Sequence, residues 1–90
     1  AAGYNWKENL DELKSAIEIY QGLGQDDILV ELYSLAVKKD PNDAKLWSGS
    51  AVAQANTKHY AEARASAQKA IDLKPDFAAQ LQQFLDSLPK

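Results

Sequence analysis

The ninety residues contain no cysteine, which removes disulfides, thiolate nucleophiles and cysteine-based metal sites together. The single histidine, His59, leaves no pair for a histidine-based metal site. Methionine is absent even at position 1, so the chain reads as a processed mature chain or as a domain cut from a longer protein. Ala1-Ala2-Gly3 is then a post-cleavage start or a cloning remnant. No run approaches the ~20 apolar residues that cross a bilayer, and no charged–apolar–small leader is present. Direct membrane insertion is therefore not expected, and the compartment stays open. Basic residues are outnumbered, 10 against 13, for a net charge of −3. That balance does not suit a phosphate backbone, which rewards clustered Lys and Arg, so nucleic acid is not an expected partner. Glycine-rich phosphate loops are missing, and Ser48 and Ser50 have no triad spacing around them. Asp11, Glu12, Glu18, Asp26 and Asp27 lack the alternating oxygen ligands of a calcium loop. No enzyme activity, metal or cofactor is expected.

What is present is a helical pattern. Hydrophobic residues make up 46% of the chain and charged residues 26%, values that support a folded domain rather than disorder. Size scaling gives about 64% of the unfolded surface buried on folding, a real but thin core. Leu10, Leu13, Ile17 and Tyr20 mark one face of a helix that Gly22 and Gly24 stop. Asp26 and Asp27 offer a cap for a second helix, with Ile28, Leu29, Leu32, Leu35 and Ala36 as its stripe and Lys38 and Lys39 in its last turn. The run Asp40-Pro41-Asn42-Asp43 is a turn followed by a cap. A third helix is predicted from about Asp43 to Thr57, with Leu46, Trp47, Ala51 and Val52. His59-Tyr60 marks a turn, and a fourth helix runs from about Ala61 to Leu73. Phe77, Leu81, Phe84, Leu85 and Leu88 give a fifth, from Asp76 to Leu88. No strand alternation appears, so the fold class is all-α.

The chain also repeats itself. Pro41 and Pro75 stand 34 residues apart, a period that signals stacked helix pairs. The same shift aligns Ala36 with Ala70, Val37 with Ile71 and Ala44 with Ala78. It stacks Leu13, Trp47 and Leu81, and likewise Ile17, Ala51 and Leu85. Together these residues resemble the tetratricopeptide repeat family. In the better copy, Ala44 to Phe77, Trp47 takes the tryptophan place, Ala51 the small-residue place, Ala63 and Ala70 the second-helix alanines and Pro75 the closing proline. Ser50, Gln54 and Ala67 depart from the pattern. In the looser first copy Tyr20, Gly24, Tyr33, Ala36 and Pro41 fit, while Leu13 and Leu29 replace Trp and Ala. The resemblance implies a right-handed α-solenoid of two helix–turn–helix repeats, 10–43 and 44–77, with a capping helix over 76–88. Residues 1–9 form an extension before this domain, which spans 10–90. Two repeats fall below the ~3 usually needed for independent stability, which points to marginal stability, self-association or missing neighbours.

Carried over from the family position by position, a concave groove would be lined by Asp11, Lys14, Glu18 and Gln21, by Lys45, Ser48, Val52, Ala55 and Asn56, and by Gln82, Gln83 and Asp86 of the cap. The resemblance implies that this groove grips a peptide or helix of a partner protein, as an adaptor or scaffold. The same side chains are also compatible with a plain solvated face. Glu18 and Gly49 stand where the family's carboxylate clamp wants Asn, which disfavours a chaperone-tail ligand. The groove is mildly acidic and polar, which suits a neutral or basic segment. Tyr4 and Trp6 precede the first regular helix, where they either fold back over it or touch a partner. They support the alternative of a structural subunit docked permanently in a larger assembly, including one at an envelope or membrane. Residues 1–40 carry four lysines against eight carboxylates, whereas residues 41–90 are nearly balanced. That polarity could orient stacking with a second copy or a partner.

Overall fold

The computed structural model describes residues 6–89, so Tyr4 lies outside the described residues. Among the described residues a 3₁₀ turn, Trp6–Glu8, leads into five α-helices: α1 (Leu10–Leu23), α2 (Asp26–Lys39), α3 (Ala44–Asn56), α4 (Tyr60–Leu73) and α5 (Ala78–Ser87). A second 3₁₀ turn, Pro75–Phe77, precedes α5. The fifth helix is therefore shorter than the expected Asp76–Leu88. Proline enters it through a tight turn, and a 3₁₀ step suits such short entries. No strand occurs among the described residues.

The helix ends follow from local chemistry. Asn9 Oδ1 accepts from the Glu12 amide at 3.2 Å and starts α1. Gly24, not Gly22, ends it. Gly24 adopts φ +70°, and the Gly24 and Gln25 amides return to the carbonyls of Gln21 and Tyr20. Glycine takes this left-handed geometry without a Cβ clash. Gln25 occupies the cap position of α2, so Asp26 and Asp27 sit one step inside, in the first turn. There their charge still faces the positive end of the helix. Asp43 Oδ1 caps α3 through the Lys45 amide at 3.0 Å.

The core falls into two clusters. The first joins Leu13 and Ile17 of α1, Leu29, Leu32, Tyr33, Ala36 and Val37 of α2, and Leu46 and Ala53 of α3. The second joins Ala44 and Ala51 of α3, Ala67 and Ala70 of α4, and Leu81 of α5. Trp47 packs against both, and its indole Nε1 donates to the Pro41 carbonyl at 2.7 Å. The buried stripe of α2 is thus rotated from the one expected. Tyr33 and Val37 are buried, while Ile28 and Leu35 are only half-buried. The rotation has a physical cause: α2 packs against both α1 and α3 and must bury a broader face than a helix with one neighbour. Where α3 meets α4, α4 presents Ala63, Ser66, Ala67 and Ala70, all buried, and these small side chains let the two helices approach closely. The one polar member of that row is satisfied, since Ser66 Oγ donates to Gln54 Oε1 at 2.7 Å.

The molecule measures 46 × 24 × 20 Å, with a Cα radius of gyration of 13.3 Å. A spherical chain of this length would have ~12 Å. The body is therefore modestly elongated.

Candidate functional site

Two adjoining depressions lie along α1 and α3 and share Gln21 and Tyr33. The first, of about 310 Å³, is walled by Lys14, Glu18 and Gln21 from α1 and by Asp43, Lys45 and Leu46 from the start of α3. The second, of about 230 Å³, continues over Asp26, Gly49, Val52 and Asn56. Helical spacing explains the α1 side. Lys14, Glu18 and Gln21 recur at four and three residues, one row away from the buried pair Leu13 and Ile17. The two depressions form one trough with an apolar floor (Ile17, Leu29, Leu46, Ala53) and a polar rim.

Tyr33 is the centre of the trough. Its ring belongs to the core, with 5% of the residue exposed, yet its hydroxyl reaches the trough and accepts from Gln21 Nε2 at 2.8 Å. Burial pushes the Tyr33 phenol above its ordinary value, and the hydrogen bond from Gln21 partly opposes the rise. The ring fits because position 49 is glycine. A Cβ there would lie far inside van der Waals contact with Tyr33 Cζ and Oη, and 2.6 Å from Cε1. Gly49 sits in the interior of a helix, where glycine costs about 1 kcal/mol against alanine. The close approach of Tyr33 is what that cost permits.

The rim carries two lysines, Lys14 and Lys45, against three carboxylates, Glu18, Asp26 and Asp43. Lys14 Nζ lies 3.5 Å from Asp43 Oδ2, and Asn56 Nδ2 donates to Asp26 Oδ1 at 3.4 Å. These contacts run from one helix to another and hold the rim in register. They are solvent-accessible, so a ligand can exchange with them at small cost.

Of the residues expected to line a groove, the structure brings together Lys14, Glu18, Gln21, Lys45, Val52 and Asn56. Asp11, Ser48 and Ala55 line neither depression. Gln82, Gln83 and Asp86 do not either. They are exposed on α5, where Gln82 Nε2 donates to Asp86 Oδ1 at 3.2 Å. Tyr33, Gly49 and Asp43 were missed. A glycine inside a helix, unneeded for any turn, was the available signal that a bulky group approaches there. His59 is exposed between α3 and α4, with Nδ1 2.7 Å from Thr57 Oγ1.

Trp6 occupies the other side of α1. It packs against the first core cluster and helps line an apolar cleft of about 370 Å³ with Ala16, Ile19, Tyr20 and Leu23. Among the described residues no group of three or more His, Asp or Glu is arranged to hold a metal ion, and no helix is long and apolar enough to cross a membrane. No protein-family model matches this chain, and no solved structure matches it.

Proposed function

We propose that this chain is a protein-interaction module of tetratricopeptide-repeat type, with two helix–turn–helix repeats and α5 as the cap, and that it holds a peptide or helix of a partner in the α1–α3 trough. It acts as an adaptor or scaffold and catalyses no reaction. The observation that carries this reading is the continuity of the two depressions. They share Gln21 and Tyr33 and gather side chains from both first-of-pair helices, α1 and α3, over an apolar floor. An apolar floor supplies affinity, and a rim of amides, a phenol and paired charges supplies direction and register to a bound segment. The repeat reading has its own support. Residues at matching places, Leu13, Trp47 and Leu81, all pack in the core, with Trp47 spanning the two clusters that hold the others.

The test is selection of displayed random peptides on the immobilised full chain, followed by affinity measurements on charge-reversed variants. Lys14→Glu and Lys45→Glu alter solvent-accessible rim groups, the first half-buried and the second exposed, and should leave the helical circular dichroism and melting curve unchanged. Each should change the affinity of a selected peptide at least fivefold. Peptides that bind both variants as they bind the parent would refute the trough.

A second reading has a specific observation behind it. Ile19 and Leu23, large apolar residues, are 61% and 64% exposed on the opposite side of α1. An apolar surface of that kind favours permanent docking in an assembly. Sedimentation separates the readings: a monomer at all concentrations fits the adaptor, whereas concentration-dependent oligomers fit an assembly subunit.

A further inference from the structure

Helix α1 has two apolar faces. One, with Leu13 and Ile17, is in the core. The other runs through Ala16, Ile19 and Leu23, and lines the cleft beside Trp6. The thirty-four-residue equivalence identifies this second face. It maps Glu12, Ala16 and Ile19 onto Leu46, Ser50 and Ala53 of α3. All three α3 residues are buried, and Leu46 and Ala53 share a cluster with Leu29, Leu32, Tyr33, Ala36 and Val37 of α2. On α3, then, this face is covered by the preceding helix. On α1 the matching face is open at Ile19 and Leu23.

The covering helix on α3 also specifies its charge. Four residues separate α2 from α3, and so short a connection makes the two helices antiparallel neighbours. The last turn of α2, with Lys38 and Lys39, therefore lies beside the first turn of α3. A helix placed on α1 in the same way would bring its last turn to the first turn of α1, which carries the exposed acids Asp11 and Glu12. Among the described residues Glu12 is also the one charged residue lining the cleft. A basic last turn meets opposite charge there.

We infer that the outer face of α1 docks an amphipathic helix of a partner protein, antiparallel to α1, with apolar residues at the spacing of α2 and basic residues in its last turn. This inference rests on the repeat reading given above and concerns a different face from the trough. A second copy of this chain fits less well. The apolar stripe of α5 is spent on its own second cluster, and its last turn carries Asp86 rather than a lysine. Antiparallel pairing of two α1 faces would bring to Glu12 a last turn without a basic residue.

The probe is a synthetic peptide of residues 25–40, capped at both ends and labelled with fluorescein, titrated with the full ninety-residue chain and read by anisotropy. Saturable binding is expected. Ile19→Asp, at an exposed position, should weaken it at least tenfold with an unchanged melting curve. Replacing Lys38 and Lys39 of the peptide with Glu should weaken it at least threefold, and Glu12→Lys in the chain should restore it. No binding overturns the inference. So does binding indifferent to Ile19→Asp, which would mean the peptide had displaced α2 from its own place. Loss on Lys14→Glu but not on Ile19→Asp overturns it too, while leaving the trough reading intact. Concentration-dependent self-association abolished by Ile19→Asp would assign the face to a second copy and overturn it as well. A trough that fails the peptide selection, with this titration behaving as expected, would refute the trough and spare the outer face.

Discussion

Gly49 and Tyr33 are the residues on which the trough turns. The phenol ring fills the space that any Cβ at position 49 would enter. Gly49→Ala should therefore destabilise the fold by about 1–2 kcal/mol, because overpacking outweighs the gain in helix propensity of about 1 kcal/mol. In a Tyr33→Leu background the same change should turn neutral or stabilising. Urea unfolding of the four proteins in this cycle measures the coupling. Tyr33 also makes stability depend on alkaline pH. Its pKa is raised in the fold, by burial first, so folding favours the neutral phenol. The contribution is fully present below the unfolded value of about 10 and is lost as pH rises through the folded value. Thermal melts from pH 8 to 11 should show a decline that Tyr33→Phe flattens. None of this was plain from periodicity. Tyr33 falls at the edge of the apolar stripe that the spacing of Leu29, Leu32 and Ala36 suggests, and only the packing of α2 between two neighbours turns it inward.

Helices, by contrast, were legible almost to their ends, because each is punctuated by residues with one local task. Asp43, Gly24 and the two proline-containing turns act within a few residues of themselves, and local chemistry is what a sequence displays. The errors were of one or two residues, as at Gly22 and at the start of α5, where competing local signals sit side by side. Asp43 does double duty, as the cap of α3 and as partner of Lys14. Asp43→Ala should cost about 1 kcal/mol, most of it from the lost cap, as a solvent-accessible ion pair adds little; chemical denaturation reads it directly. Lys58, just past the Thr57 cap of α3, has φ +68°, a left-handed conformation that only glycine adopts freely. Lys58→Gly should raise stability by about 0.5–1 kcal/mol, net of the greater freedom glycine has in the unfolded chain. An unchanged or lower denaturation midpoint would show that the turn is not strained.

At the scale of the molecule, Trp47 is the joint. It packs against both core clusters and is tied to the turn before α3 through Pro41. Trp47→Ala should cost ~3 kcal/mol, the low end for a core tryptophan, because the residue is half-buried. For a domain with ~5 kcal/mol in hand that leaves about 2 kcal/mol, or roughly 4% unfolded at 37 °C. That Leu13, Trp47 and Leu81 all turn to the core could be read from a self-comparison of the chain. The reach of the trough could not. Extending it to α5 assumed that α5 presents its polar face to the same side, and Gln82, Gln83 and Asp86 instead stand away from both depressions. The result is a body with a polar-rimmed trough on one side of α1 and an apolar cleft on the other, so that one helix contributes to two surfaces.

The side-chain amides of Gln21 and Asn56 give the most direct view of the trough, since each contributes its own pair of nitrogen–proton resonances. Titrating a selected peptide into the ¹⁵N-labelled chain should shift both pairs together with the backbone amides of Lys14, Tyr33 and Lys45, while Gln82 and Gln83 stay where they are. Shifts that leave Gln21 and Asn56 untouched and gather on any other face would contradict the account.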